Sequence, residues 1–294
     1  MVASLLAWQS ILLGAPDEIR VASYNVENYL GPAGEEVAGG RRTRPKSDAA
    51  IAAIVRVVKE INPDILGLCE MGQPDKFASF KERLAEVGLA YQESEYVAGP
   101  DPDRHLALLS RFPIVARQSR PDVSYDLNGM PQKVKRGFLD VTVRINSGYE
   151  LRLVGVHLKS KLESGMGEAL VRRHEAQLLR QHAEKILAAD PETNLMLYGD
   201  FNDLKNEPAV QEIMGPRGGP MRLSDLWLKD VNGDRWTQYW KAADLYSRFD
   251  YFFVNAALSH EIVLPHSGVY RSDFWNEASD HRPIYAGIVP VNRR

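Results

Sequence analysis

Three observations predict an α/β protein with antiparallel content. Short apolar runs of β type recur along the chain. Amphipathic runs with helical spacing fall between some of them, and the tight Asn146-Ser147-Gly148 turn joins two of the β runs. A helix between strands implies a crossover and a tight turn implies a hairpin, so the sheets should be mixed, not simply doubly wound. Composition agrees: 44% hydrophobic and 26% charged residues in a chain of 294 describe a soluble globular enzyme and exclude a disordered, collagenous or coiled-coil chain. That length makes one large domain or two small ones, either able to bury a core and a cleft. No composition shift, low-complexity tract or repeat marks a boundary.

Residues 2–13 form a short apolar stretch, broken by Ser4, Gln9 and Ser10 and followed by Gly14-Ala15. It is too short to span a bilayer, and the first basic residue is Arg20, so the positive region of a secretory signal is missing. Residues 1–18 are therefore either a signal segment or a packed arm leading into the first strand, which leaves the compartment open between cytoplasmic and secreted or periplasmic. No other window is apolar enough for a membrane helix.

Ile19 to Val26 alternates as a strand, and a Gly-rich loop then runs from Gly31 to Gly40 into Arg41-Arg42-Thr43-Arg44. Ser47-Asp48 is a helix N-cap, followed by Ile51, Ile54, Val55 and Val58 at the spacing of one buried face; Asn62-Pro63-Asp64 stops the helix. Ile65 to Cys69 reads as a short buried strand ending on Glu70. Phe77, Phe80, Leu84 and Val87 mark a second helix, closed by Gly88. Strands are expected at Leu106–Leu109, Gly137–Ile145 and Leu151–Leu158, then a long helix at Glu168–Ala188. Further strands are expected at Asn194–Tyr198, Phe249–Val254 and Ile284–Val289.

Charge and cysteine content narrow the function classes. With 36 Lys+Arg against 39 Asp+Glu the net charge is −3, which excludes the basic footprint of a protein that holds nucleic acid mainly by neutralising phosphates. Any phosphate it meets must be gripped locally. The single cysteine, Cys69, excludes an internal disulfide and a Cys-rich zinc site.

The chemistry shows as one repeated pattern, in which an apolar strand ends in an acid, amide or imidazole. Asn25, Glu70, His157, Asp200 with Asn202, Asp250, and Asp280-His281 all stand so. One such residue is usually a turn or cap. Many of them in segments apolar enough to be buried would cost several kcal/mol each unless paired or bound to a cation. Glu70 is a hard oxygen ligand with no Cys or His cluster near it in sequence, which suits Mg²⁺ or Mn²⁺ keeping several waters. Asp200 and Asn202 flank Phe201, so both polar side chains point one way while the ring packs inward.

These segments, SYNVEN, ILGLCE, LLSRFPI, VHLKS, YGDFND, FDYFFV and SDHRPI, resemble the ordered motif set of the endonuclease/exonuclease/phosphatase (DNase I-like) superfamily. The resemblance runs from about Ile19 to Ile288. It implies one domain over 19–294, a four-layer αββα sandwich of two mixed sheets flanked by helices, with the motif residues gathered at one end. It implies Glu70 as principal metal ligand, helped by Asn25 and Asp280, for Mg²⁺ or Mn²⁺, with Ca²⁺ a further candidate. It makes Asp200 the residue that orients or deprotonates water and Asn202 a phosphoryl ligand. His281 would contact the scissile phosphate with Asp250 fixing its tautomer, and His157 would clamp phosphate or protonate the leaving oxygen. Two positions depart from the pattern: Cys69 stands where many members carry glutamine, and Glu27 where some carry aspartate. The second weakens any two-metal scheme that needs a short acid there.

The expected activity is divalent-metal-dependent hydrolysis of a phosphodiester by in-line attack of water. Nucleic acid is the favoured substrate, because His157 matches the nuclease-like branch; the expected state is a monomer with no stable membrane span. A phospholipid head group is the runner-up and needs an exposed apolar hairpin that the sequence does not identify. Small phosphodiesters follow, and a silent binding module is the reading from another class. Arg111 is expected either at the phosphate or tying down a loop. Arg41, Arg42, Arg44 and Lys46 read as a solvated loop or a substrate-binding rim. Trp236, Tyr239 and Trp240 either pack in the core or line a groove, Asp203 is a turn or cap residue, and His105, His174, His182, His260 and His266 belong to surface or helix faces.

Overall fold

Two six-stranded sheets carry the molecule, each built around one parallel pair of strands joined by a helix. The computed structural model describes residues 16–30, 46–162 and 167–293. The first sheet contains β1 (Ile19–Tyr29), β2 (Ile65–Met71), β3 (Glu93–Val97), β4 (His105–Ser110), β15 (Ile262–Val269) and β16 (Ile284–Ile288), in the order β15-β16-β1-β2-β4-β3. The second contains β5 (Ile114–Arg117), β8 (Leu139–Asn146), β9 (Tyr149–His157), β10 (Asn194–Asp200), β11 (Ser224–Asp225) and β14 (Asp250–Val254), in the order β11-β14-β10-β9-β8-β5. Small hairpins are made by β6 (Ser124–Leu127) with β7 (Met130–Lys133), and by β12 (Gln238–Trp240) with β13 (Leu245–Ser247).

Helix α1 (Asp48–Ile61) joins the parallel β1 and β2, and α3 (Glu168–Ala189) joins the parallel β9 and β10. The expected local signals operate. Ser47 accepts a hydrogen bond from the Ala50 amide at 3.2 Å, and Asn62 ends α1 in the left-handed conformation. The buried face of α1, including Ile51, Ile54, Val55 and Val58, packs on the first sheet with α2 (Pro74–Glu86). Each such aliphatic side chain contributes roughly 1.5–3 kcal/mol through burial. On the other side α3 and α4 (Pro208–Met214) cover the second sheet, and a central cluster from Ile19 to Ile288 fills the space between the sheets. The layer order is α/β/β/α, as the resemblance implied. Short helices α5 (Ala256–Ser259) and α6 (Trp275–Ala278) complete the set.

Tyr198 on β10 sets how closely the sheets approach. A Cβ on Gly67 of β2 would lie 2.0 Å from the Tyr198 ring, and one on Gly155 of β9 would lie 2.5 Å from its hydroxyl oxygen. Both strands keep glycine at the point where the ring passes. Next to it the Cys69 thiol donates to the Val156 carbonyl at 3.3 Å, a contact between the sheets.

Candidate active site

A parallel pair exposes the C-terminal ends of both strands on one edge, and the two pairs put those edges side by side. At the end of β1 the chain turns through Glu27 and Asn28 at φ of 45° and 53°, and at the end of β2 Glu70 has φ 62°. Asparagine adopts this region readily, whereas for a glutamate it costs on the order of 1–2 kcal/mol, so the two glutamates store strain here. The turns aim the carboxylate of Glu70. The Asn28 amide donates to Oε2 at 2.8 Å, and Asn25 Nδ2 lies 3.4 Å from Oε1. The same Nδ2 donates to Asp200 Oδ2 at 3.0 Å, while Asn25 Oδ1 accepts from the Glu27 amide at 3.0 Å. One buried amide therefore links the carboxylates of the two sheets.

From the second sheet, β9 ends on His157 and β10 on Asp200, directly paired, and Asp250 opens β14 opposite Asp200. Phe201 is fully buried, edge-on to Tyr251 and Phe253, which fixes the turn that follows. Beyond it Asn202 has φ 52°; its amide donates to Asp200 Oδ1 at 2.9 Å and its Nδ2 to the Leu158 carbonyl at 3.1 Å. Thr237 Oγ1 accepts from the Phe249 and Asp250 amides, both at 3.0 Å. His281 Nδ1 lies 2.8 Å from Asp250 Oδ2, and its Nε2 lies 3.6 Å from Asp200 Oδ2. Ser279, wholly buried, donates to the Asn25 carbonyl at 2.8 Å and accepts from the His281 amide at 3.0 Å, tying the β1 turn to the histidine.

Asn25, Glu70, His157, Asp200, Asn202, Asp250 and His281 thus form one contiguous cluster at the ends of both sheets. Asp280 stands at its margin, with Oδ1 4.0 Å from His281 Nε2 and Oδ2 accepting from Gln238 Nε2 at 3.4 Å. Arg111 does not belong there. Because β4 runs antiparallel to β2, the residue after β4 meets the start of β2, the end opposite Glu70. Its guanidinium binds Asp64 at 2.9 Å and Asn62 at 2.6 Å and ties down that loop, so of its two expected places the structure shows the loop and not the phosphate. Arg41, Arg42 and Arg44 lie outside the described residues, as do residues 1–15; Lys46 pairs with Glu27 at 3.0 Å.

Burial and neighbours divide the titrating groups. His281 is buried, which opposes its charge, but the carboxylates of Asp250, Asp200 and Asp280 together hold its pKa well above the usual value. Burial pushes Asp200 up to about 7, with the positive His281 opposing and Asp250 reinforcing the rise. His157 goes the other way: burial, then Arg136 and the charged His281, hold its pKa well below the usual value. A neutral His157 donates a hydrogen bond well and protonates a leaving group poorly. Its Nε2 lies 3.6 Å from Asp200 and 3.8 Å from Glu70, and its Nδ1 is buried without a partner.

Sequence reasoning missed several contributors. Arg104 Nε lies 3.5 Å from Glu70 Oε2, and the buried Arg136 donates to the carbonyls of His157 and Leu158 at 2.9 and 2.5 Å. Arg104 follows a Pro-Asp loop and Arg136 a Lys-Val-Lys run, where a lone arginine reads as surface. Asp203 is buried, paired with Lys161 at 2.7 Å and Arg172 at 3.2 Å, and His105 is a buried residue of β4, not a surface one.

The acidic side chains of the site suit a divalent cation. Glu27 is pushed up mainly by burial, then by Asp280, with Lys46 opposing and Glu70 adding to the rise. Three carboxylates thus feel one another across the cleft, a field that a cation relieves. Among the described residues no group of three His, Cys, Asp or Glu is preassembled as a ligand cage. The chemistry fits a hard cation held by one or two carboxylates that retains several waters.

A model of the Endonuclease/Exonuclease/phosphatase family matches residues 22–281. Solved structures share the fold. Truncated Caenorhabditis elegans TDP2 is 19% identical over 92% of this chain and 97% of its own, with TM-score 0.61. The human Nocturnin catalytic domain, solved with a bound sulfate anion, is 19% identical over 92% and 94%, with TM-score 0.66. A beta toxin from Staphylococcus aureus is 15% identical over 91% and 99%, with TM-score 0.60. No curated protein matches the sequence.

Proposed function

Since the chain belongs to the endonuclease/exonuclease/phosphatase family, whose members hydrolyse phosphoester bonds, we propose that it is a divalent-metal-dependent phosphodiesterase acting by in-line attack of water, with nucleic acid as its substrate. The observation that carries this reading is the buried His281 held between Asp250 and Asp200. In the proposed mechanism Asp200, kept in place by Asn25 and the Asn202 amide, takes the proton of the attacking water. His281, kept charged by its carboxylates, and the side chain of Asn202 meet the charge that develops on the phosphoryl oxygens. Neutral His157 donates a further hydrogen bond, and Asp250 fixes the ring of His281. Glu70, with Asp280 and Asn25, would hold the cation, which supplies Lewis-acid polarisation of the phosphoryl group when bound.

The sulfate in Nocturnin supports an anion as the ligand of such a fold. Hydrolysis of bis-p-nitrophenyl phosphate and of plasmid DNA with Mg²⁺, Mn²⁺ or Ca²⁺ tests the reading, and no turnover of any phosphodiester overturns it. One observation favours a phospholipid substrate as the second reading. The β12–β13 hairpin, whose Tyr239 amide donates to the Asp280 carbonyl at 2.9 Å, leaves Trp240, Leu245 and Tyr246 each half exposed beside the cleft. Cleavage of sphingomyelin vesicles in preference to DNA would select it.

A further inference from the structure

Beside the Asp200–Asn202 turn, on the flank of the second sheet away from Glu70, basic side chains collect around one indole. Trp227 is half exposed, and Lys205 Nζ and the Arg235 guanidinium lie over its ring at 3.6 and 3.9 Å from the centroid, with Arg248 at 5.6 Å. The backbone puts this cluster at the rim of the candidate active site. Lys205 follows Asn202 by three residues, Arg248 precedes Asp250 by two, and Arg235 precedes by two the Thr237 that fixes the Asp250 amide. The Leu226 amide donates to the Phe252 carbonyl at 2.9 Å, so Trp227 sits where the edge chain climbs toward Asp250.

Asp225 is the anion of the cluster, paired with Arg248 at 2.5 Å and with Lys205 at 3.1 Å. That carboxylate pairs with two of the three cations, and Arg235 Nη1 is buried without a hydrogen-bond partner. Stacking on the indole holds the cationic groups with little loss of rotamer freedom on binding. In a chain of net charge −3, three positive side chains and the carboxylate of Asp225 thus gather at one indole.

We propose that Lys205, Arg235 and Arg248, assembled on Trp227, form a subsite for a second phosphate of a nucleic-acid strand whose scissile phosphate lies at Asp200 and His281. The inference rests on the phosphodiesterase reading above. Its function is to hold the strand in register, so it governs substrate affinity and not the chemical step. The occupied indole is a scaffold for the cations, not a stacking platform for bases.

The test uses Lys205→Gln/Arg235→Gln, which keeps the side-chain stems near Trp227 and removes two charges; Arg235→Lys restores one. Binding of a fluorescein-labelled single-stranded DNA 12-mer is measured by anisotropy on the His281→Ala background across a salt series. The double substitution should weaken binding at least tenfold and flatten the slope of log K against log salt by about 1.4, two contacts at about 0.7 each. Arg235→Lys should recover roughly half of the lost slope. With His281 intact, the double variant should raise KM for the 12-mer and leave turnover of bis-p-nitrophenyl phosphate, which has no second phosphate, unchanged. An unchanged salt slope, absent binding of the 12-mer, or equal losses on both substrates overturns the subsite. So does loss of binding to phosphatidylserine vesicles with DNA binding intact. Failure of the wild-type protein to cleave any phosphodiester would instead overturn the phosphodiesterase reading, and the anisotropy series would still decide the subsite.

Discussion

His281 Nδ1 lies 2.8 Å from Asp250 Oδ2, and both side chains are all but sealed from water. In the proposed mechanism the carboxylate fixes the ring and keeps it charged. Asp250→Asn should therefore lower kcat on bis-p-nitrophenyl phosphate by about 10²-fold, and His281→Ala by about 10²–10⁴-fold. Single-turnover kinetics of the double variant should give a loss far below the product of the two, because the residues act as one unit.

The same pair shapes the pH dependence. Asp200 must be deprotonated to act as base, so kcat/KM should rise as pH climbs through about 7. The His281 charge is present below its raised pKa and lost above it, so the rate should fall again at alkaline pH. The two limbs belong to the coupled pair. Asp250→Asn removes a carboxylate that raises His281, and the alkaline limb should move to lower pH in a stopped-assay profile.

Divalent cation should be required for turnover and should stabilise the folded protein. Saturating Mg²⁺ at about 100 times its dissociation constant adds roughly 2.7 kcal/mol, visible as a rise in Tm. Glu70→Gln should abolish most of that rise while leaving the Tm of the metal-free protein nearly unchanged. Activity that survives chelation on every phosphodiester would contradict the assignment.

Much of this centre was legible in the sequence because strand ends announce themselves. ILGLC had to be a buried strand, and Glu70 after it had to stand at its end; the same holds for Asp200 after NLMLY. What was not legible lies at edges. β3 reads ESEYV, with no apolar stripe, and β15 contains Pro265 and an exposed Leu264, so neither declares itself. The short β12–β13 hairpin was hidden for the same reason. Arg111 stayed open between two places, because LLSRFPI gives no clue to the direction in which β4 runs, and direction alone decides at which end of the sheet the guanidinium emerges. Arg104 and Arg136 owe their places to long-range approach, which no local pattern encodes.

A buried ion pair secures the loop that precedes the centre. Arg282 Nη1 lies 2.7 Å from Asp230 Oδ2, both sealed from solvent, with the guanidinium 3.5 Å from the Trp236 ring centroid. Asp230→Ala leaves the arginine uncompensated and should cost about 3–5 kcal/mol in urea unfolding. Because Arg282 adjoins His281, activity should fall even under conditions where the variant remains folded.

Gly67→Ala would drive a methyl group into the Tyr198 ring and should cost roughly 1–3 kcal/mol. Residues on either side of that contact supply opposite halves of the cleft, so the variant should lose turnover at temperatures below its unfolding transition. Parallel activity and circular-dichroism melts check this.

The pairing of β16 with β1 has a consequence for biosynthesis. The strand that opens the sheet and the strand that completes its partner ladder are separated by nearly the whole sequence, and Asp280 and His281 stand at the threshold of the later one. During translation the growing polypeptide can bury most of its hydrophobic surface while it still lacks the imidazole and the carboxylate beside it. If the proposed mechanism holds, the nascent chain should have no activity until the closing strand docks. In the proposed mechanism a chain ended upstream of Asp280 should accordingly lack hydrolytic activity.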